Sequence, residues 1–318
     1  METISENKCF DGVQGVYRHA SQACHCDMTF GLFLPSLARE MSVPVLWYLS
    51  GLTCTHENAM VKAGAQAWAE QAGIALVFPD TSPRGDGVAD DDAYDLGQGA
   101  AFYVNANQDP WSKHFQMWEY IANELPNLIG EHFAVDLDRQ SITGHSMGGH
   151  GALTMAMGLP DRFKSVSAFA PISNPTGADW GRKQLAAYLG DDETTWQRHD
   201  ASALMRAGGC DIPMLVDWGT NDQFIDLLRP EALMQAAAER RHQGTFRLQQ
   251  GYDHSYFFVS TFMHDHVAFH AGYFLDTGNY ATSVYQSFNI HQQMKRRSYL
   301  KTCGRHGNNY MCLLMTVH

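Results

Sequence analysis

The segment Gly144-His145-Ser146-Met147-Gly148 is where residue types and spacing most directly imply chemistry. Glycines stand two positions either side of a serine. A very tight strand-to-helix turn demands this, because the serine takes a strained backbone conformation and its neighbours must lack side chains. Gly149 adds to that room. Such a turn lifts the hydroxyl above a sheet, at the positive end of a helix, where it can attack an acyl carbon. An unassisted hydroxyl is a poor nucleophile, so a base must come from elsewhere in the chain.

Among sixteen histidines, His254 in Gly251-Tyr252-Asp253-His254-Ser255 is the best placed, on a loop between an expected strand and a long helix. His145 adjoins the serine, but its side chain is expected to point away from the hydroxyl. His264/His266 and His266/His270 are spaced to face each other on a helix and, with no third ligand nearby, read as surface residues. Asp222 follows an expected strand within Trp218-Gly219-Thr220-Asn221-Asp222-Gln223-Phe224 and is the acid expected to hold the imidazole. Asp217, inside the strand, and Asp226, near the next helix, are worse placed. The chain order Ser146, Asp222, His254 suits an acyl-transfer triad. Two backbone donors are expected for the oxyanion: the N–H of Met147, after the nucleophile, and that of Leu52 in Ser50-Gly51-Leu52-Thr53-Cys54.

These residues need a frame. Short apolar runs at Val45–Leu49, Ile74–Phe78, Gln140–Thr143, Ser165–Ala168, Met214–Trp218 and Phe246–Gln249 read as strands covered on both faces. Helical patterns at Asn58–Ala72, Met117–His132, Met147–Gly158, Pro230–Arg241 and Ser255–His270 alternate with them. Gly12–His19 and Met28–Leu34 come first and predict an antiparallel edge. The fold class is α/β: a mostly parallel central sheet with helices on both faces and an antiparallel N-terminal edge. Active sites of such sheets lie at the carboxyl ends of the strands, where all three candidate residues fall.

The 318 residues are 45% apolar and 18% charged, an ordinary globular composition. A formal net charge of −12 argues against nucleic-acid partners. No apolar run is long enough to span a bilayer, and the first eight residues lack a secretory apolar core, so no membrane association is expected. Seven cysteines, an odd and sparse number, suit a reducing cytoplasm. Cys24-His25-Cys26 is too tightly spaced for both thiols to chelate, and no metal site or cofactor is expected. From Thr277 the composition changes. Lys295, Arg296, Arg297, Lys301 and Arg305 have no acidic counterpart up to His318, and no amphipathic stripe persists. The organisation expected is a catalytic domain over 1–276 and a basic, poorly ordered extension over 277–318.

The chain resembles the S-formylglutathione hydrolase (esterase D) family. The resemblance rests on Tyr48-Leu49-Ser50-Gly51-Leu52-Thr53-Cys54-Thr55, Pro79-Asp80-Thr81-Ser82-Pro83-Arg84-Gly85, Gly144-His145-Ser146-Met147-Gly148-Gly149-His150-Gly151-Ala152-Leu153, Ser167-Ala168-Phe169-Ala170-Pro171-Ile172 and Gly251-Tyr252-Asp253-His254-Ser255-Tyr256. It implies an α/β-hydrolase fold and hydrolysis of S-formylglutathione to formate and glutathione, a step of formaldehyde detoxification. It carries the triad onto Ser146, Asp222 and His254. It also implies a cytoplasmic, metal-independent enzyme in a family whose members are often homodimers. It places Cys54 near the serine, where modification of the thiol would block entry. The extension 277–318 has no family counterpart, and Ala178-Asp179-Trp180-Gly181 departs from a usual Pro-Trp-Gly. Trp180 and Trp111 are candidates for the acyl-pocket wall, and Arg84 and Lys62 for contacts to the glutathione carboxylates. Three other activities compete with this one: a general short-chain carboxylesterase, a catalytically silent binding module of the same fold, and an acyltransferase.

Overall fold

The computed structural model describes residues 1–208 and 211–274. The boundary expected at 276/277 and the basic extension 277–318 lie outside the described residues. The described chain is built on one nine-stranded sheet in the order β1-β2-β3-β5-β4-β6-β7-β8-β9. Its strands are β1 (Glu2–Cys9), β2 (Gly12–Ala20), β3 (Asp27–Leu34), β4 (Val43–Leu49), β5 (Ala75–Pro79), β6 (Val135–Gly144), β7 (Val166–Phe169), β8 (Met214–Gly219) and β9 (Thr245–Gln249). Strands β1, β2, β3 and β5 pair antiparallel. From β5 through β4, β6, β7 and β8 to β9 every pairing is parallel. Every residue of β4, β5, β7 and β8 is buried, as continuous apolar strands under two helical layers must be.

The structure departs from the sequence expectations in several elements. Strand β1 is an added edge: it is almost wholly exposed and has no apolar alternation, so it is held by its ladder to β2 and by Arg18–Glu2 and Tyr17–Glu6 contacts. The helix expected over Asn58–Ala72 is two, His56–Lys62 and Gln66–Ala72. The one expected over Met117–His132 contains a π-helical turn at Tyr120–Glu124, just ahead of Pro126, which has no N–H to give the ladder. Helices Asp179–Leu189 and Ala201–Ala207 had no expectation at all. Among the described residues no helix is long and apolar enough to cross a membrane.

His266 and His270 correct the expectation of surface residues. Both are fully buried between the helix Tyr256–Phe274 and the sheet. Ser165, just before β7, and Ser167, within it, face them. His270 contacts the hydroxyls of Ser165 (2.7 Å) and Ser167 (2.8 Å), and His266 contacts Ser167 at 2.9 Å. Asp217, the rival acid, belongs to this layer. Arg247 donates to both of its oxygens at 2.6 Å, which leaves it no part in the site above the sheet.

Candidate active site

Strand β6 ends at Gly144, and the helix Met147–Gly158 starts two residues after His145. Between them Ser146 takes φ 58° and ψ −118°, a conformation that L-residues avoid. The tightness of the turn explains its glycines. A Cβ on Gly144 would lie 2.2 Å from the carbonyl oxygen of Gly148, and one on Gly148 would lie 2.0 Å from that of Leu49. The serine is pinned by its neighbours: its N–H donates to Phe169 O (2.9 Å), and its carbonyl accepts from His150 N–H (2.9 Å). Strain held by surrounding backbone in this way is characteristic of functional turns.

The loops after β8 and β9 bring the other two residues together. Asn221 N–H donates to Tyr252 O at 2.9 Å, Thr220 N–H to Gln249 O at 3.0 Å, and Gly251 N–H to Thr220 Oγ1 at 2.9 Å. Within this clasp Asp222 Oδ2 lies 2.6 Å from His254 Nδ1, and Asp222 Oδ1 accepts the N–H of Phe224 at 2.8 Å. The carboxylate is fully buried, while the imidazole keeps 12% of its surface open. That contact puts the proton on Nδ1 and leaves Nε2 as the free acceptor. Ser146 and His254 open on one cavity of about 350 Å³.

The proposed oxyanion donors flank that cavity. Met147 is the first residue of its helix, so its N–H has no intrahelical acceptor. No backbone acceptor among the described residues takes the N–H of Leu52, whose side chain lines the cavity. The loop carrying Leu52 is strapped from several sides. Tyr103 Oη donates to Ser50 O (2.8 Å), Thr53 N–H to Gly99 O (2.9 Å), and Arg84 Nη2 to Cys54 O (2.7 Å).

The remaining candidates divide. Trp180 lines the cavity and packs edge-on against Phe102. Cys54 lines it too. Burial pushes its thiol upward in pKa, against the opposing charge of Lys62, so it is a poorly activated nucleophile. Trp111 does not line it: this side chain is core, packed on Phe115 and Tyr188 at 5.1 and 5.3 Å. Arg84 is engaged by Asp80 (2.9 Å) and Cys54 O, so it braces a loop rather than waiting for a carboxylate. Lys62 is exposed, with its ammonium 6.0 Å from the ring centre of Tyr256, itself a cavity residue. Sequence reasoning missed Tyr94, Phe224 and Leu227 as cavity walls. It also set His145 aside, whereas the ring of His145 lines the cavity beside His254. Phe224 stands two residues past Asp222, the one signal that could have found it.

Comparison with known proteins bears on this arrangement. The Esterase family model matches residues 21–271. The S-formylglutathione hydrolase of Paracoccus denitrificans (strain Pd 1222) is 64% identical over 270 residues, covering 85% of this chain and 97% of that protein. A solved S-formylglutathione hydrolase from Agrobacterium tumefaciens superposes with a TM-score of 0.85 at 47% identity, over 86% of this chain and 100% of the other. The fluorophosphonate-binding serine hydrolase FphF of Staphylococcus aureus shares the fold at a TM-score of 0.66 and 16% identity, over 82% of this chain and 98% of that one.

Proposed function

The chain belongs to the Esterase family, among the S-formylglutathione hydrolases, and from this premise we propose that it hydrolyses S-formylglutathione to formate and glutathione through an acyl-enzyme on Ser146. The observation that carries the assignment of residues is the 2.6 Å contact of Asp222 with His254 on a cavity shared with the strained Ser146 turn.

In this reading Nε2 of His254 takes the Ser146 proton as the hydroxyl oxygen attacks the thioester carbonyl. Asp222 steadies the imidazolium through Nδ1. The N–H groups of Leu52 and Met147 receive the oxyanion. The C–S bond then breaks, and glutathione leaves as a thiolate, a good leaving group that takes up the imidazolium proton. Water, deprotonated by the same imidazole, attacks the formyl ester and frees formate and the Ser146 hydroxyl.

A second reading has one observation in its favour. A formyl group fills a small part of a cavity of about 350 Å³ whose walls include Ile172, Trp180, Leu227 and Leu228. Those walls suit short acyl esters. We also place the enzyme in the cytoplasm, where the unpaired thiols Cys9, Cys24, Cys26 and Cys54 would stay reduced, and expect a homodimer, which light scattering would detect. The test of the main reading is kcat/KM for S-formylglutathione against p-nitrophenyl acetate, with Ser146→Ala as control. The thioester is expected to be preferred by about tenfold or more, with Ser146→Ala losing about 10³-fold or more on both. Equal or better turnover of the phenyl ester would overturn the substrate assignment.

A further inference from the structure

His145 is a buried imidazole at the site that the mechanism leaves without a task. Its main chain is tied into the nucleophile's own turn: the N–H donates to Leu49 O (3.0 Å), and the carbonyl accepts from Gly148 N–H (2.8 Å). Its ring centre lies 4.6 Å from that of His254, with the planes 41° apart, and 5.4 Å from that of Tyr256. Phe224 packs on the His254 ring at 5.0 Å, nearly edge-on. The base therefore rests against two aromatic walls, one of them anchored to the nucleophile.

The choice of histidine here is costly to the fold. Only 5% of His145 is exposed, neither ring nitrogen has a side-chain hydrogen-bond partner among the described residues, and the polar group that faces the ring is the main chain of His254. A buried imidazole with so few polar neighbours destabilises, and such conflicts persist where function maintains them. Burial first, and then the charge of the neighbouring His254, push the pKa of the ring well below the usual imidazole range, against an upward pull from the His254 main chain. An uncharged ring does not oppose the positive charge that His254 must carry in mid-reaction, whereas a charged one at this distance would.

We infer that His145 is a positioning residue for His254: its ring, fixed to the turn that presents Ser146, holds the imidazole at its working angle and keeps water from its flank. This rests on His254 being the base, as proposed above. The other titratable or charged groups facing the pair are Asp222 at Nδ1, Asp253 in the same loop, Tyr256, the Cys54 thiol close to the Tyr256 hydroxyl, and Lys62 over the Tyr256 ring.

The experiment compares His145→Ala, which removes the ring, with His145→Phe, which keeps an uncharged ring. The readouts are kcat, KM and the pH profile on p-nitrophenyl acetate, with thermal unfolding as the folding check. His145→Ala should lower kcat about ten- to a hundredfold, leaving KM within about twofold. It should also move the acid limb of kcat/KM to higher pH, because water beside His254 favours its protonated form. His145→Phe should return kcat to within about threefold of the parent and leave the limb in place. Should His145→Ala fail to fold, His145→Asn takes its part as the ringless variant. The inference is overturned by a ringless variant within about twofold of the parent, by Phe performing as poorly as the ringless variant, or by a fall in kcat with an unmoved limb. His254→Ala separates the two levels: if that variant keeps its activity, the assignment of the base has failed and not only the role of His145.

Discussion

At Asp222 the two carboxylate oxygens do different work: Oδ2 receives the imidazole and Oδ1 is held by the Phe224 N–H. Asp222→Asn keeps the shape but offers Nδ1 an amide that can turn its NH₂ toward the ring and favour the wrong tautomer. It should lower kcat about 10³–10⁴-fold with little change in melting temperature, read by steady-state kinetics beside thermal unfolding. A loss under about tenfold would remove Asp222 from the mechanism. The strained turn at Ser146 and the meeting of Asp222 with His254 were legible in the sequence because each of these residues sits on a loop just after a strand. Trp111, Arg84, His266 and His270 were not. An aromatic in an irregular segment reads the same whether it walls a cavity or fills the core, and whether Arg84 is free depends on Asp80 and on Cys54 O, a loop away. The burial of His266 and His270 depends on Ser167 in β7 and Ser165 just before it, a hundred or so residues earlier in the chain.

The element that most needs bracing is the loop carrying Leu52, because the oxyanion donor proposed there is useful only where its N–H points at the developing charge. Arg84 holds that loop by the carbonyl of Cys54 and neutralises the buried carboxylate of Asp80. Arg84→Ala should therefore lower kcat about tenfold on both thioester and ester and lower the melting temperature by several degrees. If instead KM rose for S-formylglutathione alone, with kcat kept, Arg84 would be a substrate contact, as the sequence suggested, and not a brace. Of the parallel strands, β4, β5, β7 and β8 were legible through their apolar runs, within a few residues at each end; β6 begins at Val135, well before the run expected for it, and β9 is partly exposed rather than covered on both faces. Strand β1 was not, because ETISENKC has no buried face and gains its conformation from β2 alone. The helix Asp179–Leu189 does carry an inward stripe, Gly181, Gln184, Leu185, Tyr188 and Leu189, but Gly181 and Gln184 are not apolar, so hydrophobic periodicity did not reveal it.

Over the whole molecule, several histidines are buried without charge. His145, His150, His199, His266 and His270 are all displaced downward, burial being the largest cause in each, with His150 lowered to about 4 and His199 to about 3. Above about pH 6.5 both folded and unfolded chains hold these rings neutral, and they add no pH dependence. Below it the unfolded chain takes up protons that the folded one refuses, so stability falls, by about 1.4 kcal/mol per pH unit for a ring such as His150 or His199 that stays neutral through most of this range. Denaturant unfolding at steps from pH 7.5 to 4.5 should show a plateau and then a steep decline beginning near pH 6.5. A level stability across that range would show that these imidazoles are not held neutral in the fold. The same intact chain allows the most direct test of the central claim, that one hydroxyl is made reactive by the His254–Asp222 pair: mass measurement and peptide mapping after treatment with a fluorophosphonate. The account predicts one adduct per chain, on Ser146, absent in Ser146→Ala and formed at least about a hundredfold more slowly in His254→Ala. An adduct on another residue, or undiminished labelling without His254, would contradict it.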